Sequence, residues 1–106
     1  MKLDEYQREA KRFRNPDLTG SVELAVLALG TAGEAGEVAD IVKKHIGQGH
    51  SLDRQKLIDE LGDVLWYVSQ LADALGLTLG TVARLNVEKL NARYPQGFQV
   101  QRSVER

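Results

Sequence analysis

The segment from Ser51 to Leu75 has apolar residues at every third or fourth position, which is the spacing of one face of an α-helix. An apolar surface as wide as this one has to be covered by two neighbouring helices. The segment therefore requires a multi-helix fold. One apolar line consists of Leu57, Leu61, Val64, Val68, Leu71 and Leu75, and an adjacent line consists of Ile58, Leu65 and Ala72.

Two further helices precede this segment. Apolar residues at helical spacing predict a short amphipathic helix from Leu3 to Arg14 and a long helix from Val22 to Ile46. Gly47 and Gly49 mark the end of the long helix. No segment alternates apolar and polar residues with period two, so the predicted fold class is all-α.

The segment from Ser51 to Leu75 is thus the third helix, and both it and a fourth helix after it have recognisable ends. Ser51 is the expected N-cap of the third helix, with Asp53 in the first turn, and Gly76 is its expected left-handed stop. Thr78 is expected to cap the fourth helix, which runs to about Arg93 because the residue before Pro95 is disfavoured in a helix. The tail from about residue 99 is predicted to be loosely ordered.

The length of 106 residues predicts one domain, residues 1–106, built as a bundle of about four helices. The helices of one small chain can cover the third helix only partly. We therefore predict that homo-oligomerisation completes the bundle.

Composition excludes several classes of function. The chain has no cysteine, which rules out disulfides, zinc–thiolate sites, iron–sulfur clusters and thiol nucleophiles. The formal net charge of -1 gives no general attraction to nucleic acid or to an anionic membrane. No apolar run approaches the roughly 20 residues of a membrane span. The expected protein is soluble and cytoplasmic, with neither nucleic acid nor membrane as its partner.

Negative charge is concentrated on the second and third helices. Glu34 and Glu37 are three residues apart, as are Glu60 and Asp63. Side chains at this spacing lie about 60° apart on a helix and can converge on one ligand. Any single pair of this kind is common on a solvated helix face. Two pairs on consecutive helices, however, would repel one another unless a cation lay between them.

These four carboxylates predict a magnesium site. All are hard oxygen ligands, and neither pair has a histidine at the i+3 position, as dinuclear iron bundles do. Mg²⁺ is therefore favoured, and Mn²⁺ can substitute for it. Because protein-bound Mg²⁺ usually shares its coordination sphere with substrate phosphates, the expected ligand is a polyphosphate.

Other polar residues lie on helical faces from which they could contact the substrate. Lys44 is two turns beyond Glu37, and Tyr67 is one turn beyond Asp63. A polar stripe on the fourth helix could grip phosphate or sugar, although its charges also suit a solvated surface. The stripe consists of Asn86, Lys89 and Arg93.

The sequence resembles the MazG-like nucleotide pyrophosphohydrolases, an all-α family. The resemblance rests on three stretches, GEAGEVADIVKKHIGQGH, LIDELGDVLWYVSQLADALG and NVEKLNARYPQGF. It implies Mg²⁺-dependent hydrolysis of a nucleoside triphosphate to the monophosphate and pyrophosphate by attack at the α-phosphorus. It also implies a homo-oligomer, with a tetramer favoured over a dimer, and the following roles. The metal ligands and catalytic carboxylates would be Glu34, Glu37, Glu60 and Asp63, and the nucleotide would contact Tyr67, Asn86, Lys89 and Arg93.

Several alternatives stay open from the sequence. The same chemistry could serve guanosine alarmones, and the acidic stripes could instead bind a basic protein in a non-enzymatic interaction module. In proteins similar to this one, the base pocket draws on the first helix and the start of the second. Phe13 and Trp66 could stack on a base there, or pack in the core.

Overall fold

The computed structural model describes residues 1–106, which form helices joined by turns. The all-α prediction is confirmed, and the four predicted helices are α1 to α4. A short helix in the tail, α5, was not predicted. The helices are α1 (Leu3–Ala10), α2 (Gly20–Gly47), α3 (Arg54–Ala74), α4 (Leu79–Arg93) and α5 (Val100–Val104), and a single 3₁₀ turn (Lys11–Phe13) extends α1.

Local hydrogen bonds explain where these helices begin and end. Asp53, not Ser51, is the N-cap of α3, because its carboxylate accepts the backbone N–H of Lys56 at 3.0 Å. A carboxylate at that position also complements the helix dipole. The predicted cap Thr78 is confirmed at α4 through a bond of 3.1 Å to a backbone N–H three residues on. Gly76 has the predicted left-handed conformation, with φ of +76°.

The helices α2 and α3 pack against each other as an antiparallel pair, and α1 lies across the C-terminal half of α3. Side-chain to main-chain hydrogen bonds hold α1 there. The Gln7 amide donates to the carbonyl oxygens of Ser69 at 2.9 Å and Leu77 at 3.0 Å, and its oxygen accepts the Leu79 N–H at 2.9 Å. The Trp66 indole N–H donates to the carbonyl of Ala10 at 3.1 Å.

The most deeply buried side chains are polar. Ser69 and Gln70 are fully buried, whereas Leu61 and Leu75 on the predicted apolar line are 52% and 60% exposed. One chain therefore covers only part of the apolar surface that α3 presents. The sequence pattern identified the apolar lines of α3, but within one chain the centre of the fold is a hydrogen-bonded network.

The chain is extended for its length. Its radius of gyration is 16.7 Å, compared with about 13 Å for a compact domain of this size. The second half of α4 accounts for part of this shape, since residues 83–92 are exposed on every side. No helix has both the length and the apolar character needed to cross a bilayer.

An ion-pair cluster joins the end of α1 to α2 and α3. The Arg14 guanidinium bonds both Glu23 and Asp73, and Lys11 lies 3.1 Å from the Asp73 carboxylate. Burial alone lowers the pKa of Arg14, but its bonds to Glu23 and Asp73 outweigh burial and raise the pKa above its ordinary value. At Asp73 the balance is similar but of opposite sign. Burial raises the pKa of Asp73, and the bonds and charges of Lys11 and Arg14 outweigh burial and hold the pKa below the ordinary 3.8.

Asp73→Asn is expected to destabilise the fold by about 1–2 kcal/mol at neutral pH, because it removes charged hydrogen bonds. The folded pKa of Asp73 lies below the unfolded value, so its stabilisation is present above pH 3.8 and is lost as the pH falls through the lower folded pKa. Thermal denaturation at a series of pH values should therefore show the wild type and the variant converging in acid. The exposed Asp17 makes no ion pair, so Asp17→Asn is the control. If the wild type stays more stable than Asp73→Asn by the same amount in acid, the ionised Asp73 is not the source of the stabilisation.

Candidate active site

Three carboxylates converge between α2 and α3. Glu34 on α2 and Glu60 and Asp63 on α3 each offer an oxygen, and these oxygens lie within 4.8 Å of one another. Glu34 and Glu60 are half-buried, and Asp63 is exposed. The antiparallel packing of α2 and α3 brings together these three of the four predicted metal ligands, which we call the acidic cluster.

The fourth predicted ligand, Glu37, is exposed and lies outside the acidic cluster. It is one turn beyond Glu34 and is rotated by about 60° around the helix, so only Glu34 points between α2 and α3. Glu37 still acts electrostatically on the cluster, because its negative charge is one of those that raise the pKa of Glu60.

Repulsion within the acidic cluster is visible at Glu60, whose pKa is raised above its ordinary 4.5. The largest cause is a hydrogen bond with Glu34, followed by burial and by the charges of Glu34, Asp63 and Glu37. A cation at the cluster would relieve this repulsion. The donor set consists of carboxylate oxygens, without histidine or cysteine, and such a set suits Mg²⁺ or Mn²⁺.

Tyr67 lies beside the acidic cluster and packs directly on the backbone of α2. A Cβ atom at Gly30 would overlap the Tyr67 ring, so glycine at this position lets the ring approach the helix. Gly33 and Gly36 face open space and have no such role within one chain. Tyr67 also meets Trp66 edge to face, with ring centroids 4.9 Å apart.

Gly30→Ala and Gly36→Ala are expected to change stability in opposite directions. Alanine favours a helix over glycine by about 1 kcal/mol, so Gly36→Ala should stabilise α2. At Gly30 the added methyl group displaces Tyr67, and overpacking of this kind costs about 1–3 kcal/mol. Urea denaturation of both variants measures the difference. Equal stabilisation by both substitutions would show that Tyr67 does not depend on Gly30.

An apolar cavity of about 220 Å³ adjoins the acidic cluster. Phe13, Trp66 and Tyr67 line both this cavity and the cleft that contains Glu34 and Asp63, so the two spaces are adjacent and share these side chains. Further apolar walls come from Leu18, Val26 and Leu27, and the polar end consists of Arg14, Asn15 and Glu23. The arrangement can hold an aromatic ring on one side and a metal with phosphate on the other.

The structure also assigns positions that sequence reasoning left undecided or missed. Trp66 is half-buried: its indole N–H donates to α1, and the residue lines the cavity. Phe13 lines the cavity but is 65% exposed, so it is not a core residue. Tyr6 lies within the predicted helix from Leu3 to Arg14 and had no predicted role in the site. Burial and the charge of Asp63 raise its pKa, so Tyr6 is within electrostatic reach of the acidic cluster.

Lys44 lies towards the other end of α2 and is engaged by Asp40 at 2.8 Å. The hydrogen bond with Asp40 raises the pKa of Lys44, and the charge of Glu37 also contributes. Lys44 lines a separate open cavity together with Lys56 and His50. It is thus within electrostatic reach of Glu37 but does not line the cleft at the acidic cluster.

The predicted substrate residues on α4 lie apart from the acidic cluster in a single chain. Asn86 and Lys89 are exposed, and α4 packs on α1 and α3 through its first turns. None of the α4 residues lines the cleft that contains Glu34 and Asp63. The carbonyl of Arg93 accepts a hydrogen bond of 2.6 Å from Arg102 on α5.

Comparison with known proteins gives a consistent family signal. The profile of the MazG nucleotide pyrophosphohydrolase domain matches residues 23–98, which include the acidic cluster. The Gene 37 protein of Mycobacterium phage L5 is 42% identical over 78 residues, covering 70% of this chain and 68% of that protein. The uncharacterized protein YvdC of Bacillus subtilis (strain 168) is 36% identical over 70 residues, covering 58% of this chain and 66% of that protein. No solved structure matches the chain.

Proposed function

The chain belongs to the MazG nucleotide pyrophosphohydrolase family, and on that basis we propose that it hydrolyses ribo- or deoxynucleoside triphosphates to the monophosphate and pyrophosphate. The reaction depends on Mg²⁺, and water attacks the α-phosphorus. The observation that carries this proposal is that the aromatic-lined cavity lies next to the cleft at the acidic cluster and shares three aromatic side chains with it. A nucleotide has the same two parts in the same order, a base followed by a phosphate chain. The reaction fits removal of unwanted nucleotides from the cellular pool.

The acidic cluster is the proposed metal site. Glu34, Glu60 and Asp63 would hold Mg²⁺ or Mn²⁺, with Glu37 available one turn away. The dependence of MazG enzymes on a divalent metal is typical of the family. A divalent cation supplies charge neutralisation to the phosphate oxygens and activates water.

The remaining roles belong to groups around the acidic cluster. Glu37 and Glu34 are the proposed bases that orient the attacking water and accept its proton. Glu37 is favoured by its position, because it is exposed and outside the cluster while its charge still acts there. Trp66 and Phe13 hold the base in the cavity and keep water from it. Tyr67 lines both spaces, so its ring and hydroxyl are placed to contact the sugar or the first phosphate.

We further propose that a second copy of the chain completes each site. The accessible surface of one chain is 7670 Å², compared with about 5,900 Å² for a compact monomer of this mass. The excess surface area is of the size that a permanent interface buries.

Apolar Leu85, Val87 and Leu90 are exposed on α4 beside Asn86 and Lys89. Docking of α4 on a second copy of the chain would cover this apolar surface. It would also bring Asn86, Lys89 and Arg93 to the phosphates of a nucleotide bound at the acidic cluster of that copy. A tetramer is favoured over a dimer, and a monomer by light scattering at micromolar concentration would contradict oligomerisation.

The function is tested by incubating the protein with Mg²⁺ and each common ribo- and deoxynucleoside triphosphate in turn, with products resolved by ion-exchange chromatography. Monophosphate with pyrophosphate is the expected result. Diphosphate with orthophosphate would overturn attack at the α-phosphorus. Turnover of guanosine alarmones alone would move the activity to that substrate class, and no turnover of any nucleotide would favour the non-enzymatic interaction module.

A further inference from the structure

The polar end of the apolar cavity contains a carboxylate that the proposed chemistry does not use. Glu23 lines the cavity with Arg14 and Asn15, and none of these three residues lines the cleft at the acidic cluster. Arg14 is held firmly, since its side chain is only 12% exposed and bonds both Glu23 and Asp73. This contact fixes one oxygen of Glu23, Oε1. The second oxygen, Oε2, has no hydrogen-bond partner within the chain.

A fixed carboxylate oxygen beside apolar walls discriminates between hydrogen-bond donors and acceptors. Any ligand edge that displaces water from Oε2 has to donate a hydrogen bond, because leaving a partly buried charged acceptor unpaired costs free energy. An exocyclic amino group satisfies Oε2, as in the pairing of carboxylates with the amino group of cytosine. A carbonyl oxygen at the same place would face the carboxylate and be repelled.

Asn15 adds a complementary group. Its side-chain oxygen accepts the backbone N–H of Asp17 at 3.0 Å, which leaves the amide NH₂ as its free end. Among the residues that line the cavity, Glu23 therefore has a free acceptor and Asn15 a free donor. Cytosine has the matching pattern, since its amino group lies next to a ring nitrogen acceptor.

We propose that Glu23 is a specificity-determining residue, selecting nucleotides whose base has an exocyclic amino group over those of uracil and thymine. The inference rests on the proposed function only in placing the base in this cavity. It names the substrate class as amino-bearing nucleotides; cytosine and adenine both place the amino group next to a ring nitrogen acceptor. The preference depends neither on the acidic cluster nor on the hydrolytic step.

The test is a binding titration that needs no hydrolysis. Trp66 is the only tryptophan in the chain and lines the cavity, so its fluorescence reports on occupation. CMP has an exocyclic amino group where UMP has a carbonyl oxygen. The wild type is expected to bind CMP at least about ten-fold more tightly. In Glu23→Gln, whose amide can donate to a carbonyl, the ratio is expected to fall to about one.

Asp73→Asn is the matched control. Asp73 is the other partner of Arg14 but does not line the cavity, so this variant weakens the same ion-pair cluster without changing the polar end. It should keep the wild-type preference for CMP. Loss of the preference in both variants would assign it to the Arg14 cluster as a whole and overturn the role of Glu23.

The remaining outcomes are equally decisive. Equal affinities for CMP and UMP in the wild type would overturn the proposal, and so would no response to either. The wild-type ratio tests the proposal even where Glu23→Gln does not fold. A preserved CMP preference without hydrolysis of any triphosphate would overturn the proposed function while leaving the role of Glu23 intact.

Discussion

Glu60→Gln and Asp63→Asn are each expected to lower the rate of triphosphate hydrolysis by at least about 100-fold. Either substitution removes one of the three negative charges that lie within 4.8 Å in the acidic cluster. An amide keeps the shape of the side chain but supplies no charge to a cation. Initial rates across a Mg²⁺ titration measure the loss, and much higher Mg²⁺ should restore only part of it.

The matched control for these variants is Asp59→Asn. Asp59 is adjacent to Glu60 in sequence, but it is exposed and accepts a hydrogen bond from Gln55 at 3.1 Å. Its substitution should leave the rate unchanged. Wild-type rates in both Glu60→Gln and Asp63→Asn would exclude the acidic cluster as the catalytic centre.

Stability should change in the opposite direction from activity at Glu60. The raised pKa of this carboxyl reports unfavourable interactions with Glu34 and its neighbours in the metal-free protein. Removing the charge should raise the melting temperature of the metal-free protein while abolishing the additional stabilisation that Mg²⁺ gives the wild type. A thermal shift assay with and without Mg²⁺ measures both effects.

Co-expression of Glu60→Gln with Lys89→Ala is expected to restore activity that neither variant has alone. If α4 of one chain completes the site on another, a mixed dimer contains one site with both defects and one intact site. Random pairing makes half of the dimers mixed, so about a quarter of the wild-type activity should return. Activity per protomer in purified co-expressed protein measures it.

The control pair for this experiment is Glu60→Gln with Asp63→Asn. Both residues belong to the same helix of the same chain, so every site in a mixed dimer keeps one defect and the mixture should stay inactive. Full activity of Lys89→Ala alone, or failure of the first pair to complement, would contradict a site shared between chains.

Helical periodicity predicted the four main helices, and the spacing of carboxylates predicted the acidic cluster with the exception of Glu37. Periodicity indicates which residues share a face, but it does not indicate which end of that face a neighbouring helix reaches. This is why Leu61 was expected on a covered line and is half exposed in one chain.

The polar contacts of the fold could not be predicted in the same way. Gln7 and Gln70 are ordinary surface residues by composition, and only the packing of α1 across α3 buries them. Arg14 and Glu23 meet across an irregular connection, where no repeating pattern relates sequence distance to spatial distance. The acidic cluster is set by two regular helices, whereas the cavity depends on a turn, and the sequence predicted the first far better than the second.

The attachment of α1 through Gln7 has a consequence for how this protein can change. The partners of the Gln7 side chain are main-chain atoms of Ser69, Leu77 and Leu79, which stay in place when those side chains are replaced. The connection after α1 contributes Phe13, Arg14 and Asn15 to the cavity but no member of the acidic cluster. Substitutions in this connection can therefore change which base is bound without changing the acidic cluster. New substrate preferences can arise in this way while the hydrolytic residues stay the same.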